Sequence, residues 1–319
     1  MKIGVIGPGA MGCLLAGKLA LSGQEVILLD HQEQRADLVD REGLTIEGIK
    51  GLFRIKVPVT VNAQRLSEAD VILVCVKAYD SRIVAQTIQR VNQEATCLTL
   101  QNGVGNMEQL GEVLPWKNIF GGITSHGATF LGPGHVRHAG EGDTFIGCGY
   151  PEEGLAEEQN RKLEAARQML NQAGFMTQIV PLIKNLIWSK LLVNVGINAL
   201  TALTRLRNGE LLNYPGTLAI LEEAVQEAIL VGKHKGIEFI FEEPLAQVKK
   251  VCQFTSANIS SMLQDVLKKK RTEVDYINGV IREEGAKARI PTPVNTVLTL
   301  LVKTLEASYD RAVGGEAGA

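Results

Sequence analysis

At 319 residues, 45% of them hydrophobic, the chain is long enough to bury sizeable cores as one large domain or, the better fit, two ordinary ones. A formal charge of −2, with both signs spread along the sequence, gives no electrostatic case for nucleic acid or an anionic membrane as partner. The five cysteines, Cys13, Cys75, Cys97, Cys148 and Cys252, are odd in number, scattered and without CxxC spacing, so they read as buried thiols in a reducing compartment. No charged segment precedes an apolar one at the start, and no stretch of eighteen apolar residues occurs, so the expectation is a soluble, cytoplasmic protein.

Lys2 to Ile6 is a short β-branched run, followed by Gly7-Pro8-Gly9-Ala10-Met11-Gly12 and a helical pattern through Leu21. In this strand, turn and helix, Gly7 permits a tight turn, Gly9 lets backbone approach a pyrophosphate, Gly12 allows close packing, and the helix N-terminus offers N–H donors. The next strand, Glu25 to Leu29, ends in Asp30, where an acidic residue accepts from adenosine ribose hydroxyls. A two-stranded excursion is predicted from Leu44 to Val61. A strand at Val71–Val76, a helix around Ser81–Val91 and a strand at Thr96–Leu100 then complete the order of a doubly wound sheet. These strands run into Lys77 and into Gln101-Asn102-Gly103. Ligands of such sheets bind beyond the carboxyl ends of strands, so Lys77 and Asn102 are candidate site residues, although Asn-Gly is also a common turn pair.

From Gly121 to Gly149 glycine and threonine predict further strands at the sheet edge. His126, His135 and His138 fall here without nearby cysteine or carboxylate ligands in a compatible arrangement, so no metal site is expected. A charged segment from Glu152 leads into an amphipathic helix ending near Gly174, then a strand from Met176 to Val180. Pro181 closes a first domain of residues 1–181.

Residues 182–319 carry helical periods only: Ile183–Thr204, Thr217–Lys235, Glu243–Lys270 and Thr292–Tyr309. Within the first of these, Lys190, Asn194 and Asn198 follow at i, i+4 spacings and line one stripe of an otherwise apolar helix. Such groups must be hydrogen-bonded when buried, either by other side chains or by a polar ligand. Asn258 and Ser261 lie three apart beside apolar neighbours, and Glu273 follows the basic run Lys268–Arg271, which reads as solvated surface.

Taken together, GPGAMG at Gly7–Gly12, QNGVGN at Gln101–Asn106, WSKLLVNVGIN at Trp188–Asn198, NGEL at Asn208–Leu211, ANISSMLQD at Ala257–Asp265 and TEVDYING at Thr272–Gly279 resemble the ketopantoate reductase family, the 2-dehydropantoate 2-reductases of the pantothenate pathway. The resemblance covers nearly the whole chain in matching order. It implies an α/β protein: an N-terminal Rossmann domain, then a helical C-terminal domain like that of 6-phosphogluconate dehydrogenase. By position it makes Lys190 the proton donor, and Asn194, Asn198, Asn208 and Ser261 the residues that hold substrate, with Asn258 lining the same pocket. Glu273 lies beside cofactor and substrate. Asn102 and Ala128 contact the cofactor, Asn102 the substrate also, and Lys77 approaches the adenosine or ribose end.

The chemistry fits those residue types. Hydride reaches the ketone carbon of a 2-keto acid from a reduced nicotinamide, and a partly desolvated lysine supplies a proton and a charge partner to the oxygen. Many members of the family prefer NADPH and carry an arginine shortly after the second strand, where this chain has Asp30-His31. Asp30 repels a 2′-phosphate and favours NADH, with Arg35 or Lys77 left to serve a phosphate, so a relaxed or NADH-leaning enzyme is expected. Two rival readings keep the fold: a related 2-keto acid or β-hydroxyacid reductase, and a nicotinamide-binding sensor without turnover. A homodimer stays open, because apolar helix faces do not distinguish an internal core from a subunit interface.

Overall fold

The computed structural model describes residues 1–149 and 157–311, and it divides into two compact units. The first comprises Met1–Gln101 and Gly105–Lys184. It opens with β1 (Lys2–Ile6), α1 (Ala10–Leu21), β2 (Glu25–Leu29) and α2 (Glu33–Glu42). There follow β3 (Leu44–Gly48), β4 (Phe53–Ile55), the two-residue β5 (Val59–Thr60), β6 (Val71–Val74), α3 (Ser81–Asn92), β7 (Thr96–Thr99) and α4 (Asn106–Gly111). Four strands, β8 (Ile119–Thr124), β9 (Gly127–Gly132), β10 (His135–Gly140) and β11 (Thr144–Gly147), precede α5 (Glu157–Gln172) and β12 (Thr177–Val180).

Eight strands make one sheet in the order β12, β11, β8, β7, β6, β1, β2, β5, with every neighbouring pair parallel except β11 against β8. The central strands are near-continuous runs of valine, isoleucine and leucine, and β6 is buried at all of its positions, as a parallel sheet covered on both faces requires. From β1 the chain moves outward to β2 on one side and, later, to β6 on the other. The reversal opens a crevice at the carboxyl ends of β1 and β6, the place where open α/β sheets take their ligands.

The excursion after α2 splits in two: β3 and β4 pair antiparallel, whereas β5 joins the edge of the large sheet beside β2. The strands expected at the sheet edge also divide. β8 and β11 join the large sheet, while β9 and β10 build a second one with β3 and β4 in the order β4, β3, β10, β9.

The second unit begins at Asn185 and takes in Asn102–Val104 as well. Its regular elements are all helical among the described residues: most of α6 (Ile183–Thr204), then α7 (Pro215–His234), α8 (Pro244–Phe254), α9 (Ser261–Leu267), α10 (Asn278–Ala288) and α11 (Pro293–Ala307). The units divide between Lys184 and Asn185, inside the first turn of α6 and shortly past the Pro181 boundary. Each has its own core, around Leu14, Leu73 and Phe120 in the first and around Trp188, Val195 and Val225 in the second. α6 is the one described helix long and apolar enough to cross a bilayer, and 67% of its most apolar window is buried inside the protein, so it serves as a core helix.

The single helix expected over Glu243–Lys270 is two. Short polar residues interrupt it at 255–258: the backbone turns where Asn258 N–H donates to the Thr255 carbonyl (2.8 Å), and α9 restarts with the Ser260 hydroxyl accepting from Leu263 N–H (3.1 Å). Buried polar side chains join four helices. The Glu227 carboxylate of α7 accepts from Val294 N–H (2.8 Å), Asn295 N–H (2.9 Å) and Asn295 Nδ2 (2.7 Å) at the start of α11. Asn278 of α10 donates through Nδ2 to Asn295 Oδ1 (2.9 Å) and to the Val195 carbonyl of α6 (3.2 Å).

All five cysteines are unbonded thiols, buried except for the partly covered Cys75. Four lie in the first unit and Cys252 alone in the second. Burial pushes Cys13, Cys75 and Cys97 up to about 12 and Cys148 and Cys252 to about 11.

Candidate active site

In the first unit β1 delivers the chain into the turn Gly7–Gly12. Gly7 has φ +106°, a left-handed conformation costly for other residues, and a Cβ there would stand 2.8 Å from the Cys75 backbone at the end of β6. At Gly12 a Cβ would fall 1.9 Å from the Gly7 carbonyl oxygen, so a side chain there cannot coexist with this turn. Gly9 differs: an added Cβ would meet no protein atom within 4 Å, so packing does not demand glycine. Its bare backbone lies at the N-terminus of α1, where N–H groups and helix dipole suit a phosphate. Pro8 is buried, with its carbonyl 3.4 Å from the Cys13 thiol, and Ala10 and Met11 form the first turn of α1. The turn fits a dinucleotide pyrophosphate.

Asp30, just past β2, is 4% exposed. Its Oδ1 accepts from the N–H groups of His31 (2.6 Å) and Gln32 (3.0 Å), and Arg35 grips both oxygens, Nε reaching Oδ2 at 2.6 Å. Burial raises the tendency of this carboxyl to hold a proton, but the Arg35 and backbone hydrogen bonds outweigh it and hold the group below the usual carboxylate range. Asp30 is therefore ionised and paired with a half-buried guanidinium. Lys77 is half-buried at the start of the 3₁₀ turn Ala78–Asp80 beyond β6. Ala128 lies on β9, in the second sheet.

In the second unit the stripe on α6 sinks progressively into the protein: Lys190 and Asn194 are half-buried and Asn198 is 5% exposed. Burial pushes the Lys190 ammonium down to about 8, while the carboxylate of Glu273 acts the other way. Glu273 is itself buried, in the tight loop that leads into the 3₁₀ turn Val274–Tyr276. Among the described residues, Asn198 Nδ2 has no hydrogen-bond partner, nor has Oδ1 of the buried Asn208. A buried polar atom left so costs about 1–3 kcal/mol, a cost a polar ligand removes on binding. Asn102 belongs to this unit, followed by Gly103 at φ +86° against Tyr276 and by Val104 N–H donating to the Tyr276 carbonyl (3.1 Å).

The family model for ketopantoate reductase PanE/ApbA matches residues 3–150, and the model of its C-terminal part matches residues 182–306. The chain belongs to this family. Among ketopantoate reductase relatives, the 2-dehydropantoate 2-reductase of Halobacterium salinarum is 36% identical over 95% of this chain and 98% of its own. That of Archaeoglobus fulgidus is 35% identical over 96% and 98%. A PanE/ApbA family ketopantoate reductase from Ralstonia eutropha superposes with a TM-score of 0.87 at 29% identity, over 97% of this chain and all of that one. So does a D-mandelate dehydrogenase solved with NADH and anilino(oxo)acetate, at TM-score 0.89 and 27% identity, over 97% of this chain and 100% of that one.

The candidate site residues thus fall in two groups: the glycine turn, Asp30, Lys77 and Ala128 in the first unit, and Asn102, Lys190, Asn194, Asn198, Asn208, Asn258, Ser261 and Glu273 in the second. Asn258 is exposed, and its backbone carbonyl takes the N–H of Asn208 (3.1 Å). Ser261 is the half-buried first residue of α9, whereas its neighbour Ser260 caps that helix and bonds Thr201 Oγ1 at 2.7 Å. Sequence reasoning passed over Gln101. Its Nε2 donates to the Val76 carbonyl (2.8 Å) and Ser81 Oγ (2.9 Å), fixing the carboxyl ends of β6 and β7 beside one another. Its place directly after a buried strand was the available signal. His126 and His138, set aside as metal ligands, face each other at 2.9 Å from Nδ1 to Nε2, and desolvation lowers both, His126 to about 4.

Proposed function

We propose that this chain reduces ketopantoate to pantoate with a reduced nicotinamide dinucleotide, a step of pantothenate biosynthesis. The observation that carries the proposal is Lys190, a lysine brought to about 8 by burial, on one stripe with Asn198, whose amide nitrogen lacks a protein partner. The Gly7–Gly12 turn would hold the pyrophosphate of the dinucleotide, whose reduced nicotinamide would supply the hydride that the ketone carbon takes up. Lys190 gives its proton to the ketone oxygen as negative charge builds there, and solvent protonates the amine afterwards. One hydride and one proton together yield the 2-hydroxy acid. Glu273 favours the charged ammonium before transfer, the direction in which its carboxylate already acts. The amides of Asn102, Asn194, Asn198, Asn208 and Asn258 and the hydroxyl of Ser261 supply directed donors and acceptors for a carboxylate and a hydroxyl.

The Asp30–Arg35 pair supports a relaxed cofactor preference leaning to NADH. The carboxylate still disfavours a 2′-phosphate, but Arg35 cancels part of that charge. The test is loss of reduced-nicotinamide absorbance with ketopantoate, run in parallel with NADH and NADPH. Absence of turnover with both cofactors overturns the activity, and kcat/KM far higher with NADPH overturns the lean. A second reading, reduction of a different 2-keto acid, is favoured by the close superposition of D-mandelate dehydrogenase. Higher kcat/KM on an aryl 2-keto acid than on ketopantoate would decide for it.

A further inference from the structure

We propose that Thr255 is a positioning residue that turns the Asn208 amide so that its oxygen faces the substrate, and thereby selects a keto acid that carries a hydroxyl. The inference rests on the ketopantoate reading above.

Segment 207–209 is fastened to the turn that separates α8 from α9. Asn208 N–H donates to the Asn258 carbonyl (3.1 Å), Gly209 N–H to the Ser256 carbonyl (3.3 Å), and the Arg207 guanidinium to the Ala257 carbonyl. The approach is close enough that a Cβ at Gly209 would lie 2.5 Å from Ser256 Cβ.

Within this fastening the amide has one orientation. The Thr255 hydroxyl owns a single hydrogen, and it is donated to the Val251 carbonyl (2.7 Å). Its oxygen is left as an acceptor, and it takes Nδ2 of Asn208 at 3.0 Å. Rotating the amide would set Oδ1 against an oxygen with no hydrogen to give. Oδ1 therefore points the other way, buried and without a hydrogen-bond partner among the described residues.

An unmet acceptor selects by chemistry. The carboxylate and ketone oxygens of a 2-keto acid only accept, so they gain nothing from Oδ1. The terminal hydroxyl of ketopantoate donates, and it is the one group of that substrate that can satisfy this oxygen. Asn198 Nδ2, an unmet donor, suits the accepting end of the same molecule.

The test compares ketopantoate with 3,3-dimethyl-2-oxobutanoate, the same keto acid without the hydroxyl, in the full-length wild type, Thr255→Val and Thr255→Ser. Wild type is expected to favour ketopantoate in kcat/KM by roughly a hundredfold or more, as sites built for a hydroxyl do. Thr255→Val frees the amide to rotate. It should raise KM for ketopantoate about tenfold with kcat little changed, the scale of one lost neutral hydrogen bond, and leave kcat/KM for the deoxy acid as it was. Thr255→Ser keeps the acceptor and should restore the wild-type ratio. Turnover of the deoxy acid reports that a variant is folded; if Thr255→Val shows none, Thr255→Ala carries the same comparison. A wild-type ratio retained without the hydroxyl at 255, or a wild type that reduces ketopantoate without preferring it, overturns the role of Thr255 alone. A wild type that does not reduce ketopantoate overturns the reading on which it rests.

Discussion

The proton-donor role proposed for Lys190 sets two requirements. A proton donor must be charged at the working pH, and it must also yield the proton readily, so a lysine at about 8 suits the task better than one near 10.5. Replacing it by alanine removes the proposed donor from a half-buried position. We expect kcat for ketopantoate to fall roughly a hundredfold or more, with the melting temperature held, and undiminished turnover in that variant would remove Lys190 from the mechanism. The pH profile has a definite sign. Under the proposed mechanism reduction draws on the ammonium, which persists below about 8, so kcat/KM should decline with single-proton slope above that pH, where an ordinary lysine would sustain it to about 10.5. Stability responds oppositely: the unfolded chain binds this proton more tightly, so the ionised form opposes folding below about 8 and the penalty fades as pH rises towards 10.5. The stripe was legible as a pattern, from the i, i+4 spacing of Lys190, Asn194 and Asn198 in an apolar helix, but the spacing alone left open whether other side chains or a ligand satisfy it. The pairing of Asp30 with Arg35 was not, because α2 had to be placed before a guanidinium five residues on could be aimed.

Helix ends are where polar side chains determine the architecture of the second unit. The N-cap of α11, Thr292, makes no side-chain cap bond, and Glu227 from α7 takes up the first N–H groups instead. Glu227→Ala would leave those donors and the Asn295 amide short of an acceptor, and we expect a loss of about 3 kcal/mol, seen as a lower urea midpoint at unchanged slope. A shift below half a kcal/mol would mean that water replaces the carboxylate there. This brace was invisible in sequence, since 67 residues separate Glu227 from Val294. The division of α8 from α9 was hidden for another reason. The expected helix runs across 255–260, where only Ala257 and Ile259 are apolar, and the density of Ser, Thr and Asn in Thr255-Ser256-Ala257-Asn258 records the competition of short polar side chains with the helix. That turn holds Asn208, so the error in the element concealed the position of a candidate site residue.

Two cores, each assembled within its own unit, make the protein two partly separate stability problems. Cofactor binding bears on the first of them. At a NADH concentration a hundred times Kd, mass action should stabilise it by about 2.7 kcal/mol, and Gly12→Ala, whose Cβ cannot coexist with the Gly7 carbonyl, should abolish the rise in melting temperature that NADH causes. An unchanged rise would show that the turn can yield. At this scale the fold was largely legible, because strand, glycine turn and helix alternate through the first 100 residues and helical period dominates after Leu182. The second sheet was not, since strands β9 and β10 differ from their neighbours only in their partners. The buried thiols give the molecule one further property. Apart from the partly covered Cys75, none is an ordinary nucleophile while its unit stays closed, for each lies out of water and holds its proton. Alkylation of the buried four therefore times opening events, and with Cys13, Cys97 and Cys148 before residue 149 and only Cys252 beyond, peptide-resolved labelling distinguishes which half of the native protein breathes first, without an engineered probe.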